Sequence, residues 1–317
     1  MKFCARCSII DTVYDSTVGN MYKVEQKEVQ VVFRVGIIGS ENSHAMAFSE
    51  IFNINNKEQY PDIQVVAIFG EDQAASEAVR DKCGAEIMTP EEMLGKVDAV
   101  MVTSRDGALH AKYAKPFIEA GIPAFVDKPL TRNVEEAVEL MRLARDKQVP
   151  IVGGSSLKYP EDLQELKKVI EEGELRGADL AAPVSMENPY GGFFFYASHL
   201  VEMTMAIFGS NPQKVSACRT ADSVTATVRF ENCDVTNHFN EGNYHYSATI
   251  YTKQQTVFKE LDVSKIYQHE CDAFVHMLRT GEMEQTYEEL VMPVAYIAAI
   301  EKAYETGEEQ IIPEIRL

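Results

Sequence analysis

The chain has 317 residues, long for one core and comfortable for two domains. Hydrophobic residues make up 45% and charged residues 25%, an ordinary mixture for a folded soluble protein, and no apolar run approaches the roughly 20 residues of a membrane helix. With 30 basic against 49 acidic residues, the formal charge of −19 opposes a phosphate backbone or an anionic bilayer, which argues against nucleic acid and membrane partners.

Residues 1–30 carry no clear period and read as an N-terminal extension; their start has no apolar stretch of signal-peptide length. Cys4 and Cys7 form a C-x-x-C, but no second ligand pair follows at zinc spacing, so no metal is expected. Scattered thiols suit a reducing cytoplasm.

From Val31 the pattern changes. VVFRVGIIG is a continuous β-branched run, as expected of a strand buried on both faces of a parallel sheet. A helix follows with Asn42 or Ser43 as N-cap. IQVVAIFG is the second strand and the stretch around Gln73 to Lys82 the second helix. Asp98 to Thr103 form another apolar strand, and the helix from His110 is stopped by Gly121. After the short strand Ile122–Val126, Asn133 and Glu136 stand at N-cap and N3 spacing before a further helix, and VPIVGG supplies another strand. Strand–helix alternation with short connections predicts a doubly wound parallel sheet over 31–153. Beyond Gly154 the rhythm becomes α+β, with alternating stretches from Lys214 to Val263 that predict a largely antiparallel open sheet. Helices around 266–279 and 287–306 close a second domain over 154–317.

The first βα turn is where a dinucleotide pyrophosphate meets a helix N-terminus. Here it reads Gly39-Ser40-Glu41-Asn42-Ser43-His44, one glycine where the usual spelling has three. After the second strand come Glu71 and Asp72, which either hold ribose hydroxyls, favouring NAD over NADP, or merely complement a helix dipole. Asp127-Lys128-Pro129 ends a buried strand on the carboxyl edge, where open α/β sheets bind ligands. His199 follows Gly191-Gly192 in an aromatic-rich segment, with Glu202 three residues on to orient it. Tyr190, Phe193, Phe194, Phe195 and Tyr196 read either as a stacking wall for a sugar ring or as core packing, the packing reading weighing more for the phenylalanines. Arg105 and Asp106 either bind substrate or pair on the surface.

The ordered set VGIIG, TSRDGALH, VDKPL, GGSSLKY and GGFFFYASHLVE resembles the glucose–fructose oxidoreductase/inositol dehydrogenase (Gfo/Idh/MocA) family from Val31 to Leu317. The resemblance implies a Rossmann domain, an open-sheet domain that makes homodimers or homotetramers, and NAD(P) with polyol or sugar substrates. It implies Lys128 and His199 as catalytic residues that also touch substrate, and His110 beside the nicotinamide in a loop that begins with Thr103, Ser104 and Arg105. Asp127 and Lys128 fall at the cofactor edge, and Lys158, Tyr190 and Tyr196 at substrate-binding positions. Phe195 and Ala197 stand where the family has aspartate and glycine, and Ser104 replaces a proline. The expected reaction is hydride exchange between nicotinamide and a secondary alcohol, His199 taking the hydroxyl proton and Lys128 steadying the alkoxide. Two alternatives stay open: a non-catalytic protein that senses a nucleotide or sugar, and a family chemistry that uses the nicotinamide transiently to cleave or eliminate.

Overall fold

The computed structural model describes residues 32–317, so the expected extension with Cys4 and Cys7 lies outside the described residues. Its first half alternates strand and helix: β1 (Phe33–Ile38), α1 (Ser43–Glu50), β2 (Ile63–Phe69), α2 (Gln73–Cys83), β3 (Glu86–Ile87), α3 (Pro90–Met93), β4 (Ala99–Val102), α4 (His110–Glu119), β5 (Ala124–Asp127), α5 (Val134–Lys147) and β6 (Ile151–Gly154). All strand pairs are parallel, in the order β3-β2-β1-β4-β5-β6. Val35, Ile37 and Ile38 are fully buried, which is why β1 needs an unbroken apolar run. The strand order reverses between β1 and β4, and the connections leaving their carboxyl ends diverge to open a crevice there.

The second half runs α6 (Glu161–Glu172), β7 (Leu175–Val184), α7 (Phe193–Phe208), β8 (Lys214–Arg219), β9 (Ser223–Arg229), β10 (Asp234–Glu241), β11 (Ser247–Thr252), β12 (Thr256–Glu260), α8 (Ile266–Thr280), α9 (Tyr287–Thr306) and β13 (Gln310–Ile311). Its sheet, β12-β11-β7-β10-β9-β8-β13, is antiparallel except for the β7–β10 pair. Val224, Ala226 and Val228 point to the helices while Thr227 and Arg229 face outward, as the alternation requires. β7 is a central strand that alternation in the sequence does not announce. LRGADLAAPV is rich in small residues with a glycine and a proline, and it is stabilised by a strand on each side rather than by its own propensity.

The two halves interlock. α8 leaves the second sheet and lays Phe274 and Met277 into the cluster of Val35, Ile37, Phe48, Phe52 and Phe125 under the first. Burying a side chain such as Phe274 contributes about 1.5–3 kcal/mol. On the opposite face α9 runs beside α5, and Tyr287 donates to the Val149 carbonyl at 2.9 Å. Both contacts hold the second lobe over the carboxyl edge of the parallel sheet.

Candidate active site

Each side chain at that edge is placed by an identifiable local cause. Asn42 caps α1, accepting from His44 N at 3.3 Å, and its Nδ2 donates to the Thr103 carbonyl (2.9 Å) and to Asp127 Oδ2 (3.2 Å). One cap residue therefore ties the ends of β1, β4 and β5 together. His44, in the first turn of α1, lies with Nδ1 at 2.6 Å from Asp127 Oδ2, and the other carboxylate oxygen accepts from Lys128 N at 2.7 Å. Asp127 is wholly buried. Burial pushes its carboxyl up, but His44, followed by Lys128, outweighs this and holds it below the usual carboxylate range.

Lys128 follows at the cis peptide bond to Pro129, and its ammonium is 4.3 Å from the centre of the Phe195 ring. Nζ also donates to the Phe195 carbonyl at 3.3 Å. Burial pushes this lysine down, against the opposing pull of Asp127 and Glu270. Across from it, the α7 helix presents His199, whose Nδ1 is 2.7 Å from Ser155 Oγ. Burial, then the charges of Lys128 and His44, drive His199 well below its ordinary value. His44, Lys128 and His199 all line one cavity of about 600 Å³ between the lobes. Ser43, Arg105, Tyr190, Phe195 and Tyr196 share its wall.

Ser155 Oγ already accepts from Leu157 N at 3.1 Å, so its single proton is available for His199 Nδ1. With the serine donating, a neutral His199 would carry its own proton on Nε2, as a donor. His44 has a carboxylate at Nδ1, which keeps a ring proton on that nitrogen, so that in a neutral ring Nε2 would be the acceptor. Neither Nε2 has a protein partner, and neither is among the buried unpartnered atoms.

Other residues expected at the site have partners or places of their own. His110 has a backbone carbonyl at each ring nitrogen, Pro129 O at 2.8 Å and Ser104 O at 2.7 Å, and is fully buried, so it holds two loops together. Lys158 points away from the cavity, donating to Gly153 O (2.5 Å) and Gln285 Oε1 (2.6 Å). Glu202 does not reach the His199 ring: it accepts from Ser155 N at 2.7 Å and so positions the serine that positions the imidazole. Burial raises Glu202 to about 7, with Lys158 opposing. Asp72 caps α2, and Glu71 accepts from the Tyr113 hydroxyl at 3.0 Å. Thr103 Oγ1 donates back to the Ile38 carbonyl (3.2 Å), and Ser40 pairs with Ser76 at 2.8 Å. The aromatic segment divides: Phe193 and Phe194 are core, whereas Tyr190, Phe195 and Tyr196 face the cavity.

Ser155 carried a signal in the sequence, sitting at the end of the sixth strand. Tyr267 and Glu270 did not, because α8 arrives from more than a hundred residues away. Tyr267 packs edge-on against His44, with ring centroids 4.8 Å apart. Glu270 is buried with neither oxygen partnered, and burial, reinforced by Asp127 and Glu202, lifts it well above the usual carboxylate range.

The crevice also fits a dinucleotide. Gly39, at φ 113°, turns the chain where a Cβ would stand 2.5 Å from Ser104 Cα, so the β1 and β4 ends meet only because no side chain intervenes. Beside it, Glu41 Oε2 is a buried acceptor without a donor, as a ribose hydroxyl would supply.

The structure is thus a doubly wound parallel sheet with a second lobe set over its carboxyl edge, where an ammonium and two imidazoles line one cavity. A family described as an oxidoreductase family with an NAD-binding Rossmann fold, Gfo/Idh/MocA, matches residues 33–154. Over these residues the chain is similar to that family, and the matched segment is its NAD(P)-binding Rossmann domain. Inositol 2-dehydrogenase of Corynebacterium glutamicum is 32% identical over 146 residues, covering 44% of this chain and 42% of that protein. scyllo-Inositol 2-dehydrogenase (NADP(+)) of Bacillus subtilis is 24% identical over 225 residues, covering 65% of this chain and 58% of that protein. The chain thus matches about half the length of these curated relatives. Among solved structures, GenD2 from gentamicin A biosynthesis, in complex with NAD, aligns with a TM-score of 0.78 at 15% identity, covering 89% of this chain and 97% of that one. Apo scyllo-inositol dehydrogenase from Lactobacillus casei aligns with a TM-score of 0.77 at 13% identity, covering 89% and 99%. At such identities the likeness concerns the fold. No helix among the described residues is long and apolar enough to cross a membrane.

Proposed function

We propose that the protein is an NAD(P)-dependent oxidoreductase that moves a hydride between nicotinamide and a carbinol carbon of a polyol, an inositol or a sugar. The observation that carries this reading is the convergence of Lys128, His44 and His199 on one cavity at the carboxyl edge of the parallel sheet. Inositol-oxidising relatives and an NAD-bound neighbour support the substrate and cofactor class.

The turn Gly39 to His44 and the loop Thr103 to Arg105 would hold the nucleotide, which supplies the hydride acceptor. The remaining chemistry belongs to the chain. A substrate hydroxyl seated between the imidazoles loses its proton to the His44 Nε2 lone pair. Asp127 stabilises the imidazolium that forms, a general-base role worth about 10²–10⁴ in rate. His199 Nε2–H and the Lys128 ammonium donate to the same oxygen as it becomes an alkoxide and then a carbonyl. His199 therefore acts as a donor in this direction and not as the proton acceptor. Tyr190, Phe195 and Tyr196 give the apolar ring faces a wall. Outward-facing polar residues of β9 and β10 fit pairing of this sheet face with a second copy of the chain.

The test is to follow reduced nicotinamide by its near-ultraviolet absorbance while NAD+ or NADP+ is offered with inositols, aldoses and aldonic polyols. Turnover with a member of this panel, lost in Lys128→Ala, is the expected result. Tight nucleotide binding without turnover across the whole panel would favour the sensing alternative.

A further inference from the structure

The ribose end of the crevice has no free acid at the close of its second strand. That position is Gly70, and the two acids after it are engaged, Glu71 with Tyr113 and Asp72 with the start of α2. Gly70 is not in a left-handed conformation, so its backbone does not demand glycine. Space does. A Cβ built on Gly70 would lie 2.8 Å from Glu41 Oε2 and closer still to Ser40 Oγ. The place where a strand-end side chain would start is therefore filled by the carboxylate that the preceding turn sends across.

We propose that Glu41 has taken over the ribose-binding acid position from the end of β2, and that it sets a preference for NAD(H) over NADP(H). This rests on the nucleotide-dependent reading given above. Three observations carry it. Ser40 N donates to the Phe69 carbonyl at 3.1 Å, which pins the turn against the end of β2 and aims the next side chain there. Arg105 holds the Glu41 backbone in place, its guanidinium donating to the Glu41 carbonyl at 2.9 Å. Oε2 has no donor, although Oε1 has a long contact from Arg105 N at 3.4 Å.

A buried carboxylate oxygen left without a donor is costly, and a vicinal diol supplies the missing hydrogens. The terminal torsion of a glutamate is soft, so either oxygen can turn toward the mouth of the crevice. A 2′-phosphate at the same place would bring its charge against the Glu41 carboxylate, a like-charge contact that a ribose hydroxyl does not make.

The experiment is calorimetric titration of the full chain, as wild type, Glu41→Gln and Glu41→Ala, with NADH and NADPH. Glu41→Gln is nearly isosteric and leaves the backbone contact to Arg105 untouched, and equal denaturation midpoints confirm that it is folded. Wild type should bind NADH more tightly than NADPH. Glu41→Gln should lose about 10- to 100-fold of NADH affinity, the scale of a hydrogen bond to a charged group, while NADPH affinity holds or improves. The triple change Ser40→Gly, Glu41→Gly, Gly70→Asp, which returns an acid to the strand end, should restore the preference for NADH. An unchanged NADH-to-NADPH ratio in Glu41→Gln, or tighter NADH binding in Glu41→Ala, would overturn the assignment while leaving the oxidoreductase reading intact. A wild-type protein that binds neither nucleotide would overturn both.

Discussion

Replacing His44 separates the chemistry of the cavity from the support of its buried carboxylate. Asp127 accepts from His44 Nδ1 (2.6 Å), Lys128 N (2.7 Å) and Asn42 Nδ2 (3.2 Å) with no exposure to water. His44→Ala removes the shortest of these, a hydrogen bond to a charged group worth about 1.5–3 kcal/mol. It also removes ring contacts with Phe48 (5.6 Å) and Tyr267 (4.8 Å), adding about 0.5–1.5 kcal/mol. The expected destabilisation is about 2–4 kcal/mol. His44→Gln keeps an N–H within reach of Asp127 and should cost about 1 kcal/mol. Both variants lack the Nε2 lone pair, so both should lose about 10²–10⁴ in turnover.

Urea midpoints at constant slope read the first effect and steady-state oxidation reads the second. Because Asp127 is held below its unfolded value, the stability it contributes is present above about pH 3.9 and is lost as pH falls through its folded value. The penalty of His44→Ala should therefore be full near neutrality and shrink in acid. Wild-type turnover in His44→Gln would refute the base assignment. Equal stability of the alanine and glutamine variants would refute the supporting role.

Lys128→Ala should abolish turnover while calorimetry finds nucleotide affinity within a few-fold; unchanged turnover would remove Lys128 from the reaction. Glu202, raised to about 7 in the folded state, binds its proton more tightly there than in the unfolded chain, so wild-type stability falls as pH rises from about 4.3 to about 7. Glu202→Gln escapes this loss, and denaturation midpoints at pH 5 and pH 8 should show its stability relative to wild type rising with pH. Gly39→Ala meets both an unfavourable φ of 113° and the Ser104 backbone, and should destabilise the protein by at least about 1–3 kcal/mol while weakening nucleotide binding. A midpoint within error of wild type would contradict the close approach of β1 and β4.

The sequence by itself determined the parallel sheet, because buried strands must be continuously apolar and helices must carry caps, and Val35 to Ile38 and Asn133 show both. It also placed Lys128 at a strand end, since strand ends follow from where the apolar run stops. Tertiary structure decided the partners. Hydrogen bonds among His44 and Asp127, Ser155 and His199, and the approach of Glu41 to Gly70, join residues 83, 44 and 29 positions apart. No local period encodes such distances; they exist only once the sheet sets its strand ends side by side. The same cause removed Lys158 and His110 from the cavity, because a polar side chain in a packed fold turns to whichever partner lies nearest, and only the fold decides which that is.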